Sequence, residues 1–327
     1  MPVPVPPTTP AAFSDVVARV SNWGRWGPDD RLGTLNLIDG AARRRGAAAV
    51  RDGRAFPLGL PLSTDEGIQM GFVPGRVNPS LTMTCVNEPL SPDPDWIASS
   101  EESVTLSTQC ATHWDGLAHV SYGGKLYNGY PATETTAEGS ERLGIEHVRT
   151  LVTRGVLLDV ARALDVEILP PGYAIRPEDL TAAERLAGVG LLPGDVVLVR
   201  TGQMAHLALP GRPGLGGEEP RRDLVAYTWP VPGLTLGTAP WFHERDVAAV
   251  ATDTMVLEVY PCEDEGLYLP VHLVHLVEMG LTQGQNWFLD ELADACAGDG
   301  RYDFLLEATP LPFTRATASP VNPVALR

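Results

Sequence analysis

The chain has 327 residues, 44% of them hydrophobic and 20% charged, and its 41 acidic against 24 basic side chains give a formal net charge of −17. Such a charge argues against nucleic acid as a partner, because proteins that bind nucleic acid carry clustered positive charge. No apolar run approaches the length that crosses a bilayer, so we expect a globular protein without a membrane partner.

The cysteines and the N-terminus bear on the compartment. The four cysteines, Cys85, Cys110, Cys262 and Cys296, have no CxxC spacing and are interpreted as free thiols. The first ten residues, MPVPVPPTTP, lack the charged region and apolar core of a secretory signal. We therefore predict a cytoplasmic protein that begins with a flexible proline-rich leader over residues 1–12.

Strand and helix signals alternate along the chain without an internal repeat, which indicates an α/β fold. In the first half of the chain we predict a helix from a Ser14 cap to about Val20, a helix over Ala41 to Val50, irregular structure over Ser91 to Asp95 and a buried strand over Gly155 to Val160. A helix over Pro177 to Ala187 and a strand over Asp195 to Arg200 follow. The later part is predicted to contain loops over Ala208 to Pro220 and Tyr227 to Gly237, a short helix from Trp241 and a strand over Ala248 to Thr252.

The run STQCATHWDGLAHV, from Ser107 to Val120, gathers His113, Asp115 and His119, although the whole chain has only 7 histidines. In an extended strand, side chains two positions apart share a face, so His113 and Asp115 would point into one cavity. Imidazole nitrogens and carboxylate oxygens suit Zn²⁺ or Mn²⁺. The apolar neighbours predict a buried polar cluster, which needs partners or an ion. A loop of ordinary hydrogen-bonding groups is the alternative.

This run resembles the signature of the cyclase family that includes bacterial kynurenine formamidase and isatin hydrolase, metal-dependent enzymes with the pattern H-x-G-T-H-x-D-x-P-x-H. The matching residues are Thr112, His113, Asp115 and His119. The replaced positions are the first His, the Gly and the Pro, here Gln109, Ala111 and Leu117. The resemblance implies that His113 and Asp115 bind one divalent metal ion and that His119 is the general base.

Gln109 stands where the family has a metal-binding histidine. Its carbonyl oxygen can bind a hard cation, but it is neutral and a weaker donor than imidazole. Ligand hardness then favours Mn²⁺ over Zn²⁺, and the substitution loosens binding. A relative that has lost its metal is therefore an alternative.

A second run, LPVHLVHLVEMGLTQGQNWFLDELADAC, resembles the other half of the family's site. Pro270 suits the first turn of a helix, and Gly280 suits the position just past its end. By resemblance, His272 is the distal metal ligand, with His275 one turn later as the alternative. Gln285 takes the place of the family's acidic ligand, so Asp115 would be the single anionic group on the ion.

Four further stretches resemble family segments in family order, and they are NWGRWGPDDRLGTLNLID, GDVVLVRTG, APWFHERDVAAVATDT and RYDFLLEATPLP. The resemblance therefore covers most of the chain. It implies a swivelling β/β/α fold with a mixed central sheet, and a single catalytic domain over residues 13–327 with an N-terminal extension. It also implies a homodimer or homotetramer.

Four other residues are candidates for the site. Trp23 and Trp26 could wall a pocket for a flat substrate or simply pack. Arg200 could bind a substrate carboxylate or neutralise an internal aspartate. Asp253 could orient a ligand histidine or cap a turn.

Together these residues predict a metal-dependent hydrolase that cleaves an amide, formamide or lactam C–N bond, or a lactone, in a small aromatic molecule. A cyclase or dehydratase-type lyase that uses the same metal site is the first alternative. A metal-free protein that binds a small molecule is the second.

Overall fold

A nine-stranded mixed sheet organises the structure, which is a computed structural model that describes residues 11–208, 222–263 and 266–327. Most of the expected leader and of the expected loop at 208–220 lies outside the described residues. The order of strands in the sheet is β1-β15-β13-β7-β9-β11-β12-β4-β14. The four central strands, β7, β9, β11 and β12, run parallel, and the flanking strands pair antiparallel.

The strands are β1 Ala55–Pro57, β2 Ser80–Pro89, β3 Ala98–Thr105, β4 His113–Asp115, β5 Thr135–Thr136, β6 Gly139–Ser140, β7 Val152–Asp159, β8 Ala174–Ile175, β9 Val196–Arg200, β10 Gly233–Leu234, β11 Ala249–Thr252, β12 Thr282–Gln285, β13 Asp303–Glu307, β14 Ala318–Pro320 and β15 Val324–Leu326. The α-helices are α1 Ala11–Val20, α2 Gly40–Ala49, α3 Val160–Ala163, α4 Pro177–Ala187, α5 Leu224–Thr228, α6 Thr238–Glu244, α7 Pro270–His272 and α8 Asp290–Asp299. Helix α7 continues as a π-helix over Leu273–Met279, and 3₁₀ turns cover Gly33–Leu37, Tyr127–Gly129, Ala132–Glu134, Ile145–His147 and Gln203–Leu207.

The central parallel strands are buried on both faces, as their uninterrupted apolar runs predict. In β9, Val197 and Val199 join one core cluster, whereas Val196 and Leu198 join the cluster on the other face. Helices cover both faces, and α8 contributes Leu292 to the second of these clusters. The expected α/β fold with a mixed central sheet is therefore confirmed.

Most predicted elements are confirmed, and α4 has the predicted bounds. The first helix differs, because it begins at Ala11 and Ser14 lies within it, so Ser14 is not its cap. Helix α2 begins one residue earlier than expected, at Gly40, because the Asp39 carboxylate accepts hydrogen bonds from the backbone nitrogens of the first turn. The loop expected at 227–237 instead contains the end of α5 and the strand β10.

The irregular stretch at 91–95 is confirmed as the turn of a long hairpin, which strands β2 and β3 form outside the central sheet. Most side chains of this hairpin are exposed. None of the described helices combines the length and the apolar character that a membrane crossing requires.

Candidate active site

Two antiparallel strands bring both halves of the site together. Strand β4 carries His113 and Asp115, and strand β12 pairs with it so that Gln285 stands opposite His113. Because side chains alternate along a strand, these three residues share one face of the sheet. The predicted common orientation of His113 and Asp115 therefore agrees with the structure.

The opposite face of the same strands is apolar. Trp114 packs edge to face against Trp287, with ring centroids 4.8 Å apart. Gly284 lies between the two indoles, since a Cβ at this position would come within 2.6 Å of Nε1 of Trp287. The packing of these two rings thus fixes the pairing that holds the polar face in register.

Asp115 is the centre of the polar cluster. Its Oδ1 lies 3.5 Å from Nε2 of His113 and 3.7 Å from Nε2 of His119, while its Oδ2 lies 3.9 Å from Nε2 of His272. His113, Asp115 and His272 are buried, and His119 is partly exposed at the end of the cluster. Four of the six residues that the sequence singled out as ligands and base are therefore neighbours in this cluster.

Two atoms of this cluster are unusual. Nε2 of His113 and Oδ1 of Asp115 are buried, and neither has a hydrogen-bond partner within the described part of the chain. Buried polar atoms in folded proteins are almost always paired, because an unpaired one loses its hydration without compensation. Nδ1 of His113 is paired with the backbone oxygen of Ala111 at 2.7 Å, which leaves Nε2 directed at the carboxylate.

His272 is held by a carboxylate that the sequence analysis missed. Glu258 accepts a short hydrogen bond from Nδ1 of His272 and also bonds to the backbone nitrogens of Val271 and His272, each at 3.0 Å. A carboxylate behind a histidine fixes the ring and raises its basicity at the other nitrogen. The signal was a lone acid within the apolar run VLEVY, because a buried carboxylate needs a partner.

The helix that presents His272 agrees with its predicted ends. Pro270 stands at its start, and Gly280 ends it in the left-handed conformation with φ of 63°. The alternative ligand, His275, is buried and packs edge-on against Phe242 at 5.8 Å. It is not among the residues that line the cavity described below.

Both glutamines lie at the cluster. Gln285 donates from Nε2 to Oδ2 of Asp115 at 2.7 Å, and the same nitrogen lies 3.1 Å from Nε2 of His272. Nε2 of Gln109 lies 3.3 Å from Nδ1 of His119, and its Oε1 accepts from Thr108 at 2.9 Å. Each glutamine therefore contacts a residue of the cluster, with Gln285 at its buried centre.

Burial and the neighbouring charges of the cluster shift the pKa values of Asp115 and His119. Burial alone would raise the pKa of Asp115, but His119 and His113 outweigh it, and the net result is a pKa well below the usual range. Burial lowers the pKa of His119, and Asp115 only partly opposes this. Asp115 is therefore an anion and His119 a neutral imidazole near pH 7, the state in which imidazole can accept a proton.

The donor atoms fit a divalent ion in part. Two donors at about 2.1 Å from one ion in a tetrahedral site are about 3.4 Å apart, close to the spacing of His113 Nε2 and Asp115 Oδ1. However, the described residues contain no group of three or more His, Cys, Asp or Glu side chains arranged as a complete metal site. His113, Asp115 and His272 could hold an ion if the amide oxygen of Gln285 or Gln109 completed the set.

A cavity of about 280 Å³ opens beside the cluster, and His119, His272 and Gln285 lie in its wall. Aromatic rings form another part of the wall. Tyr260 packs edge to face against Trp229, with ring centroids 5.4 Å apart, and against Tyr268, with ring centroids 6.2 Å apart. The remaining lining residues are Phe72, Val73, Arg76, Thr228, Met255, Val256 and Leu269. A second crevice, beside Cys110, is much smaller, at about 10 Å³.

Trp23, Trp26 and Arg200, which were expected to bind substrate, lie outside this cavity. Trp23 donates from Nε1 to the backbone oxygen of Val277 at 2.6 Å, and Trp26 stacks with the Arg25 guanidinium at 4.8 Å. These contacts match the packing alternative for both indoles.

Arg200 and Asp253 also make buried contacts that connect elements of the fold. Arg200 is buried and donates to Asp290 at 2.6 Å and to Asp159 at 3.0 Å, so it neutralises internal aspartates. Asp253 accepts from Thr201 and from the backbone nitrogen of Gly202, which ties the ends of β9 and β11 together. Burial raises the pKa of Asp253 although Thr201 donates to it.

Comparison with known proteins gives a family match for the chain. The family described as putative cyclase matches residues 58–259. A crystal structure described as a novel cyclase is 34% identical, with 95% of this chain and 99% of that chain covered and a TM-score of 0.82. No curated protein matches the sequence.

Two isatin hydrolase structures share the fold at lower identity. Isatin hydrolase A from Labrenzia aggregata, bound to benzyl benzoate, is 18% identical over 85% of this chain and 94% of that chain, with a TM-score of 0.57. An isatin hydrolase bound to the product analogue thioisatinate is 15% identical over 84% and 92%, with a TM-score of 0.58. The match to the putative cyclase family over residues 58–259 agrees with the resemblance that the signature run suggested.

Proposed function

Because the chain belongs to the putative cyclase family, we propose that it is a metal-dependent hydrolase of a small aromatic molecule, which cleaves an amide, formamide, lactam or lactone. The observation that carries this proposal is the pair of unpaired buried atoms, Nε2 of His113 and Oδ1 of Asp115, 3.5 Å apart. A buried pair of this kind is stabilised when a cation lies between its members.

In this proposal His113, Asp115 and His272 hold one divalent ion, and the amide oxygen of Gln285 or Gln109 completes the donor set. Such an ion polarises a substrate carbonyl group and makes water more acidic. Asp115 supplies the one negative charge among these donors, so the ion is held loosely and hard oxygen ligands favour Mn²⁺ over Zn²⁺. Glu258 keeps the His272 ring in the orientation that directs Nε2 towards Asp115.

His119 is the general base in this proposal. It lies in the cavity wall, its pKa is lowered by burial, and its Nε2 faces Oδ1 of Asp115. Gln109 contacts Nδ1, and an amide can either donate to that nitrogen or accept from it, so it can stabilise both tautomers. His119 then takes a proton from water at Nε2 and returns it to the leaving nitrogen or oxygen.

The aromatic wall supports the proposed substrate class. Trp229, Tyr260 and Tyr268 line the same cavity as His119 and His272. Flat rings gain both apolar contact and favourable edge-to-face geometry against such a wall. A cavity of about 280 Å³ is near the lower end of the usual range for small-molecule sites.

Incubation with a panel of aromatic formamides, lactams and lactones, in water enriched in ¹⁸O and with Mn²⁺ or Zn²⁺ added, tests this proposal. The proposal predicts one of two results. A lactam or lactone opens to a single product that is heavier by one water, or a formamide is cleaved to an amine and formate, and in both cases the new carboxylate carries the label. A product that loses water or closes a ring would favour the lyase alternative. Binding of compounds without any turnover or metal uptake would favour a metal-free binding protein. The neutral Gln109 and Gln285 at two ligand positions support that alternative, because they bind a metal ion more weakly than His or Glu.

A further inference from the structure

Arg76 is a cation in the wall of the cavity that the chemistry above does not use. It lies in the segment between β1 and β2, which also supplies Phe72 and Val73 to the wall. His119 stands in the same cavity, and the positive charge of Arg76 contributes to lowering the pKa of His119 after the larger effects of burial and neighbouring groups. Arg76 is therefore within electrostatic range of the reacting groups.

Arg76 is partly exposed, and its guanidinium lacks the partners that the buried arginines have. Within the described part of the chain it makes no ion pair or side-chain hydrogen bond, and only its backbone nitrogen is bonded, to Val73 at 3.1 Å. By contrast, Arg154 is paired with Asp195, Arg200 with Asp159 and Asp290, and Arg327 with Asp299. These three buried guanidinium groups are thus paired with aspartates, whereas the partly exposed Arg76 lines the cavity without an anionic partner in the described part of the chain.

Leaving this charge unmatched costs free energy. Burial lowers the pKa of Arg76, and Asp115 counteracts only part of that effect. An arginine side chain nevertheless stays charged in proteins, so an anion is the partner that would relieve the cost. The five N–H groups of a guanidinium match the two oxygens of a carboxylate in a bidentate pair.

We propose that Arg76 binds a carboxylate of the substrate and so selects aromatic carboxylates over neutral aromatic molecules of the same shape. This inference rests on the proposed function only in taking the cavity as the substrate site. The ring of the ligand then lies against Trp229, Tyr260 and Tyr268, and its carboxylate pairs with the guanidinium. The bond that is cleaved belongs to a different group of the same molecule, and that group lies near His119.

Binding of benzoate and its neutral analogue benzamide tests this inference without any turnover. Calorimetric titration of the unmodified protein should give tighter binding of benzoate than of benzamide, and EDTA should leave the benzoate affinity unchanged. Arg76→Gln should weaken benzoate at least tenfold and change benzamide less than twofold. Arg76→Lys should give an intermediate benzoate affinity, because it keeps the charge but loses the bidentate fork.

Arg51→Gln is the matched control, since Arg51 is exposed and lies outside the cavity, so the variant removes the same charge elsewhere. It should bind benzoate like the unmodified protein. Equal benzoate affinity in Arg76→Gln, loss of benzoate binding in EDTA, or no binding to the unmodified protein would each overturn the inference. Because benzoate binding needs no metal, it can be measured even if the protein proves not to be a hydrolase. A failure of this inference and a failure of the proposed function therefore give different results.

Discussion

Gln285 donates a hydrogen bond of 2.7 Å to Asp115, a residue that lies 170 positions earlier in the chain. The same amide nitrogen lies 3.1 Å from Nε2 of His272. One neutral side chain therefore connects the strand half of the site to the helix half. The Gln285 amide donates to the Asp115 carboxylate. The acidic residue that the family has at this position would instead repel Asp115.

Gln285→Glu should have opposite effects with and without metal. In the metal-free protein the change removes a donor from Asp115 and sets a second carboxylate beside it, so we expect Tm to fall by about 2 to 4 °C. With a divalent ion the second negative charge adds a ligand, and we expect Mn²⁺ affinity to rise at least tenfold. Calorimetry in EDTA and in Mn²⁺ measures both effects.

Gln285→Met is the control for that experiment, because it removes the amide without adding charge. It should lower Tm in EDTA and should not gain affinity for Mn²⁺. If Gln285→Glu bound Mn²⁺ no better than the unmodified protein, Gln285 would lie outside the metal's ligand set.

Gly284→Ala should destabilise the pairing beneath the site. The added methyl group would lie 2.6 Å from Nε1 of Trp287, 2.7 Å from Ala251 and 2.9 Å from Trp114, so a packed core has to shift. We expect a loss of about 1–3 kcal/mol in the free energy of unfolding, measured by chemical denaturation. Gly298→Ala, in helix α8 with open space around it, should be neutral or stabilising by up to about 1 kcal/mol. If Gly284→Ala and Gly298→Ala had the same free energy of unfolding, Gly284 would not be needed for the packing of Trp114 against Trp287 that holds β4 and β12 in register.

His119→Ala should separate catalysis from metal binding. On the substrate that the labelling screen identifies, we expect kcat to fall by about 100-fold to 10,000-fold, because proton transfer is lost. Metal content should stay unchanged. His147→Ala is a suitable control, since that histidine bonds to the backbone of Glu141 outside the cavity. A rate within twofold of the unmodified enzyme would remove His119 from the mechanism.

His275 should make the protein sensitive to acid. Burial lowers the pKa of His275 to about 3, so the unfolded chain takes up a proton near pH 6.5 while the folded chain does not. Stability from this residue is therefore complete above pH 6.5 and is lost as pH falls from there towards 3. Between pH 7 and pH 5 the loss is about 2 kcal/mol for a single such group.

His275→Gln removes that titration, so the variant should lose less stability than the unmodified protein over the same pH interval. Denaturant unfolding of both proteins at pH 7 and pH 5 gives the comparison. An identical pH dependence in the two proteins would show that His275 is accessible to protons in the folded state.

The sequence predicts those parts of the site that local patterns determine. Alternation along a strand predicts the shared face of His113 and Asp115, and Pro270 with Gly280 predicts the helix that carries His272. Both patterns act over a few residues, and the folded chain keeps them. The π-helical turn over Leu273–Met279 has no such local signal.

The remaining parts depend on contacts between distant segments. The aromatic wall combines Trp229 with Tyr260 and Tyr268, and the partner of His272 is Glu258. The site was expected to use Trp23, Trp26 and Arg200, but their side chains are engaged by Val277, Arg25 and the internal aspartates Asp159 and Asp290. Which aromatic residues reach a cavity depends on tertiary packing, for which spacing along the chain gives no rule.

The metal content of the purified protein tests the central claim most directly. Elemental analysis after incubation with Mn²⁺ or Zn²⁺ and removal of free ions should give about one divalent ion per chain. Asp115→Asn should give none, because it removes the negative charge that the site contributes through that residue. Absence of a bound ion in the unmodified protein under both conditions, or equal metal content in Asp115→Asn, would contradict a metal-dependent hydrolase at this site.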